Sequence, residues 1–191
     1  MPVLILLNGP PASGKSTLAA RLVARRRNMV SIDIDVIRSD LDAWPNEPEA
    51  AGRAAREIAL HTARAHLETG HDVAIPQLLG RLDFVAQLEA LAASVAVPFI
   101  EVALQVDRDA VAEVFHRRSA AALDQTHIDA ALLIEQSSRE DPLGELFDAV
   151  EQAVSQRPGT HRLRIVPGNI EATVDALLAV LDADGRWTSI E

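Results

Sequence analysis

The chain opens on an unbroken apolar run, Val3–Leu7, that stops at Asn8-Gly9. A short run of this kind, bounded by a turn signal, predicts a strand buried on both faces. The period then changes. Leu18, Leu22 and Val23 recur at helical spacing and predict a helix from about Gly14 to Arg27, with Arg25-Arg26-Arg27 as its solvated, dipole-favoured end. Met29–Asp33 reads as a second strand, and residues 47–69 as a long Ala-rich helix closed by Gly70. Asp72–Ile75 is a third strand, stopped by Pro76, and residues 82–94 carry Phe84, Leu88 and Leu91 on one helical side.

Pro98–Val106 is the fourth strand, and Asp107 is placed to cap a helix reaching about Arg118. Thr126-His127-Ile128-Asp129 has the form of a capping box, and Asp141-Pro142 starts a further helix with proline at its first position. Arg162–Val166 is the fifth strand, and Asn169 precedes a last helix whose Val174, Leu177, Leu178 and Leu181 face inward. Strands alternating with helices predict an α/β fold, a five-stranded parallel sheet with helices on both faces. Ligands of such sheets bind beyond the carboxyl ends of the strands. Those ends carry Asn8-Gly9, Asp33–Asp35, Pro76-Gln77 and Val106-Asp107.

Composition narrows this picture. Hydrophobic residues make up 48% of the 191, but only 3% are aromatic, so the core must be built from Ala, Leu, Val and Ile with closely packed helices. The length suits a single domain over 1–191. A net charge of −10 argues against coating long nucleic acid, which calls for a basic footprint. Without cysteine there are no disulfides or thiolate metal sites. His61, His66 and His71 are spaced so that they do not stack on one helical face, and no zinc-type spacing occurs. The apolar start is too short for a signal peptide or a membrane span, so a cytoplasmic location is expected.

The chemistry begins where the first strand ends. Gly9, Gly14, Lys15 and Ser16 match G-x-x-x-x-G-K-[ST], the phosphate-binding P-loop. Its backbone N–H groups form a nest for phosphate oxygens, and the following helix adds the positive end of its dipole. Gly9, Pro11, Ala12, Ser13, Gly14, Lys15, Ser16 and Thr17 are therefore the expected nucleotide-binding residues. Lys15 can reach the β- and γ-phosphates, and the Ser16 hydroxyl can hold Mg²⁺. No N-K-x-D guanine signal appears, which leans towards ATP.

Past the second strand stand Asp33, Asp35 and Arg38. A carboxylate there can take the proton of an acceptor hydroxyl during phosphoryl transfer. Asp35 is placed for this. Asp33 is either the alternative acid or a holder of Mg²⁺-bound water, and either Asp can equally be a helix N-cap. Arg38, one turn after Asp35, can bind an anionic substrate group or simply pair with Asp35. Gln77 and Arg81, after the third strand, offer an amide and a cation to an acceptor.

Gly9–Thr17 followed by Asp35-Val36-Ile37-Arg38 resembles the small P-loop kinases of the polynucleotide kinase, chloramphenicol phosphotransferase and zeta toxin group. The resemblance implies that Lys15 and Ser16 hold phosphate and Mg²⁺, that Asp35 is the general base, and that Arg38 binds substrate. It also implies an arginine-bearing lid at about 115–130, with Arg117 and Arg118 as the clamping, catalytic cations. Relatives often carry an Asp and a Thr or Asn at the end of strand three; this chain has Pro76–Arg81 there. The expected activity is an ATP-dependent transfer of the γ-phosphoryl group to a hydroxyl of a small molecule or nucleotide-like metabolite. The alternative is a nucleotide-dependent switch protein with slow ATP hydrolysis. Expected partners are a nucleoside triphosphate and a small hydroxyl acceptor, with no membrane and either a monomer or a homodimer.

Overall fold

The computed structural model describes residues 1–44, 46–121, 134, 140–166 and 168–185, without the side chains of 111, 116 and 118–121. The capping box at 126–129 lies outside them. Five strands, β1 (Leu4–Asn8), β2 (Met29–Ser31), β3 (Asp72–Gln77), β4 (Phe99–Gln105) and β5 (His161–Arg164), form one sheet in the order β2-β3-β1-β4-β5. Every pairing is parallel. The helices are α1 (Lys15–Ala24), α2 (Ile34–Ser39), α3 (Pro48–Glu68), α4 (Asp83–Ser94), α5 (Arg108–Ala121), α6 (Pro142–Ser155) and α7 (Ile170–Asp184). No described helix is long and apolar enough to cross a membrane.

β1 is the central strand and is buried along its whole length. Its two faces explain why its apolar run does not alternate. Val3, Ile5 and Leu7 pack with Leu18 and Leu22 of α1 and Val174, Leu177 and Leu181 of α7. Leu4 and Leu6 pack on the other side with α3 and α4, through Ala55, Ala59, Phe84 and Leu88. α3 buries Ala51, Ala55, Ala59, Ala63 and Leu67, a stripe repeating every fourth residue. Methyl groups along that stripe let the helix lie close to the sheet, as the low aromatic content requires.

Helix caps fall where the sequence places them. Asp107 accepts from the Ala110 N–H at 3.0 Å, Asp141 from Gly144 at 2.9 Å and Asn169 from Ala172 at 3.0 Å. Two expectations need correction. β3 does not stop at Pro76: it continues through Pro76, opposite Leu7, to Gln77, opposite Asn8. The Ala74 carbonyl accepts from the Ile32 N–H at 2.9 Å, so Ala74 and Pro76 aim their backbone groups towards β2. β2 ends at Ser31, so the missing N–H of Pro76 breaks no ladder bond.

The second correction concerns the arginines after α1, which are not merely a solvated helix end. Arg25 pairs with Glu171 and Asp175 of α7, each at 2.6 Å. Arg26 is buried against Asp72 at the start of β3, whose other oxygen accepts from the Val3 N–H at 2.9 Å. The pair fastens the lower edges of β1 and β3 to the end of α1. Removing one partner of a buried ion pair leaves the other charge unpaired. Asp72→Ala is therefore expected to lower unfolding free energy by about 3 kcal/mol or more in denaturant titration.

Candidate functional site

The residues singled out by the sequence gather at the carboxyl edge of the sheet. β1 ends at Asn8 and the chain turns at Gly9. A Cβ at Gly9 would lie 3.0 Å from Ser13 Oγ and 3.1 Å from Leu104 Cβ, so only glycine fits that turn without displacement. Ala12 has a φ of 57° and Gly14 a φ of 89°, both left-handed. Left-handed residues set among right-handed ones turn successive N–H groups to one side, which is the geometry of an anion nest. Gly14 then stands as the N-cap residue of α1 without any side-chain cap. The first N–H groups of that helix stay free for a ligand.

Lys15 folds back over the loop. Its Nζ donates to the Pro10 carbonyl at 2.8 Å and to Ser13 Oγ at 3.4 Å. Burial lowers its pKa to about 8, outweighing the attraction of Asp35 and Asp33. An ammonium held this way lacks an anionic partner in direct contact.

Ser16 Oγ donates to Asp33 Oδ2 at 2.7 Å, and Asp33 Oδ1 accepts from the Asp35 N–H at 3.0 Å. Both readings of Asp33 thus coexist: it caps α2 and it faces the P-loop serine. Two hard oxygens this close fit an ion such as Mg²⁺, which keeps several waters and draws few ligands from protein. The coordination left over suits water and phosphate oxygens.

Asp35 lies in the first turn of the same helix. Burial pushes its carboxyl pKa up and Asp33 adds to this, against the pull of Arg38, Lys15 and Arg56. Arg38 Nη1 lies 3.1 Å from Asp35 Oδ1, and its guanidinium sits 4.6 Å from the Trp44 ring centre. Side-chain exposure is 35% for Asp35 and 15% for Arg38, so the carboxylate is the accessible member of the pair. The Asp35–Arg38 pair anticipated from spacing does form, in a half-enclosed position rather than on the open surface.

Gln77 is the last residue of β3 rather than part of a loop. It is 8% exposed, and its Oε1 finds no hydrogen-bond partner. Beside it, Asn8 accepts from the Leu79 N–H at 2.9 Å and donates to the Leu79 carbonyl at 3.3 Å. This closes the start of the P-loop against the segment leading to Arg81. Gly80 does more than turn the chain, because a Cβ there would meet Ala149 Cβ at 2.8 Å, so α6 packs directly on it. Arg81 is exposed.

Of the expected lid, α5 is described to Ala121, and Arg117 lies exposed on it. The side chain of Arg118 and residues 122–130 lie outside the described residues. The base of α5 is pinned to α6 by Arg108, which reaches Asp148 at 2.9 Å and Asp141 at 3.3 Å.

Sequence reading overlooked Trp44 and Arg56, and of Asn8 it gave only the place at the ligand-facing end of the first strand. Arg56 sits in an Ala-rich helix where nothing in the local pattern separates a site residue from a solvated one. An open groove of about 340 Å³ lies elsewhere, between α3 and α4, lined among others by Leu60, His61, Arg64 and Gln87. None of the P-loop residues borders it.

A parallel sheet whose first, central strand feeds a G-x-x-x-x-G-K-S loop is the P-loop nucleotide-binding fold in its kinase-like form. The chain belongs to the AAA domain family, whose model matches residues 4–143. Among solved structures, it is similar to a candidate kinase from Chloroflexus aurantiacus at 20% identity and a TM-score of 0.64, over 95% of this chain and 97% of that one. The Deinococcus radiodurans tunicamycin resistance protein aligns at 12% identity and a TM-score of 0.63, over 94% and 95% of the two chains. Chaetomium thermophilum Kti12, solved in complex with ADP-AlF3, aligns at 20% identity and a TM-score of 0.59, over 94% and 98%. No curated protein matches in sequence. The resemblance to small P-loop kinases holds at the level of fold.

The Asn8 clasp carries a prediction of its own. Asn8→Ala removes both hydrogen bonds to Leu79, and the Leu79 amide should then exchange with solvent about tenfold faster or more in native-state hydrogen exchange.

Proposed function

We propose that the protein is an ATP-dependent phosphotransferase that moves the γ-phosphoryl group to a hydroxyl of a small molecule or nucleotide-like metabolite. The observation that carries this reading is the hydrogen-bond chain from Ser16 through Asp33 to the backbone of Asp35. It joins the phosphate cradle to an accessible carboxylate beyond the tip of β2, two strands across the sheet from β1. A nucleotide switch needs no such carboxylate.

In this reading Gly9–Thr17 wraps the triphosphate with backbone N–H groups, and Lys15 exchanges its neutral oxygen partners for phosphate. Ser16, with Asp33 through water, would hold Mg²⁺, which when bound supplies charge neutralisation on the β- and γ-phosphate oxygens. Asp35 accepts the proton of the acceptor hydroxyl as its oxygen bonds to the γ-phosphorus and the bond to the β-phosphate oxygen breaks. The raised pKa of Asp35 makes it a stronger base than an ordinary carboxylate. Arg38 both orients Asp35 and presents a cation to the acceptor, with Gln77 and Arg81 beyond it. Arg117 and Arg118 are placed in sequence on the helix leaving β4 and would stabilise charge as the site closes.

Two measurements test this. Asp35→Asn should retain ATP affinity while phosphoryl transfer falls by about 10²- to 10⁴-fold, in a metabolite screen read by ATP-dependent gain of one phosphate. Full transfer in that variant would remove Asp35 as the base. The second uses Lys15. Its pKa is about 8 without nucleotide, and phosphate contact raises it, so binding takes up a proton above pH 8. ATP affinity should be flat below that pH and fall above it, by at most about tenfold per pH unit. Titrations from pH 6.5 to 9.5 check this, and Lys15→Met should abolish the step.

A further inference from the structure

The helix that leaves β4 is held lightly. Among the described side chains of α5, only Phe115 is buried. Its neighbour α6 is well fastened. It buries Gly144, Val150, Ala153 and Val154, and Val150 and Val154 pack with Ala103 of β4. Arg157, just past the end of α6, pairs with Glu101 of β4 at 2.5 Å and with Glu89 of α4 at 2.7 Å. α6 is thus a fixed mount, and the direction of α5 depends on what joins it to that mount.

That joint is Arg108, the first residue of α5. Its Nη1 reaches Asp148 Oδ1 at 2.9 Å and its Nη2 reaches Asp141 Oδ2 at 3.3 Å. The guanidinium carbon lies 5.6 Å from the centre of the Phe147 ring. Gly144 is the floor of this seat. A Cβ there would fall 1.9 Å from Asp141 Oδ2 and 2.1 Å from Arg108 Nη2. Glycine in a helix is less stable than alanine, and here it makes room for a guanidinium. Asp141 Oδ1 meanwhile accepts from the Gly144 N–H at 2.9 Å, so this carboxylate cannot turn away from Arg108 without uncapping α6. The Arg108 side chain is 46% exposed and both carboxylates are 67% exposed, and ion pairs this open add little to global stability. Their effect is on direction. One planar fork bonded to two points on a helix fixes an angle, where a single contact would swivel.

We propose that Arg108, seated on Gly144 between Asp141 and Asp148, is a positioning residue that sets the angle of α5 and with it the place of Arg117. That Arg117 meets the transferring phosphoryl group rests on the phosphotransferase reading; the seat itself does not. Arg117 lies further along the same helix, about 14 Å of rise from Arg108, so a tilt of about 15° displaces its backbone by about 4 Å. A misplacement of about 1 Å at a reacting centre can already lower the rate by about 100-fold.

The chain has no cysteine, so spin labels at Glu113→Cys on α5 and Gln152→Cys on α6, both exposed positions, are unambiguous. Pulsed electron paramagnetic resonance of the labelled full chain should give a narrow distance distribution, broadened by Arg108→Gln and by Gly144→Ala. Gly144→Ala keeps every charge and brings in a better helix former, so neither lost charge nor lost helix propensity can account for its effect. In both variants, calorimetric titration with Mg²⁺ should find ADP affinity unchanged. Affinity for ADP–aluminium fluoride, which mimics the phosphoryl group in transfer, should fall by about tenfold or more. A general loss of structure would lower both. A distribution that stays narrow in either variant overturns the seat. Broadened distances with native affinity for the mimic, where Arg117→Gln lowers that affinity, overturn the positioning role. Native affinity for the mimic in Arg117→Gln itself, with the distances broadened, upholds the seat and removes Arg117 from the phosphotransferase reading.

Discussion

The structure depends on an ammonium group taken out of water and offered only neutral oxygens. Lys15 touches a carbonyl and a hydroxyl, while the carboxylates that attract it stand further off. Holding it there requires a loop that bends twice through left-handed residues, a glycine that admits Ser13 and Leu104 at close range, and a central strand that cannot shift. The strand is fixed because both its faces are buried, by different pairs of helices. The apolar run at the start of the chain is therefore the mechanical support for a charge that favours an anion.

Around that point the sheet brings together groups that are far apart in sequence. Asn8 clasps the segment after β3, Asp33 links the tip of β2 to the P-loop, and Asp107 starts the helix that leaves β4. Each is a short polar residue at the end of a strand, using its side chain to satisfy backbone left open where the strand stops. The whole chain is acidic, yet at this edge Asp35 feels the positive charge of Arg38, Lys15 and Arg56.

Much of this was legible in the sequence. The P-loop could be read outright because its residues are adjacent and their spacing follows from the shape of a phosphate. Element order was legible because a parallel sheet buries whole strands and separates them by helices of regular period. Asp35 and Arg38 were legible as a pair because one helical turn joins them. Arg56 was not, since it nears Asp35 only through the packing of α2 on α3, and nothing in an Ala-rich helix marks which arginine comes close to a carboxylate of another element. The ends of the strands were blurred for a different reason. Whether a proline can sit in a strand depends on what lies alongside, and the early end of β2 decides the case at Pro76. Arg25 and Arg26 looked like solvent-facing charge until the start of β3 and the face of α7 came up against them.

Pro76 also has a consequence for how the sheet is edged. β2 ends at Ser31, yet β3 runs on, buried, to Gln77. An amide left without an acceptor on a buried strand would cost the desolvation of that group. A proline at that point has no amide to strand, so β3 can outrun its neighbour without leaving a donor unsatisfied.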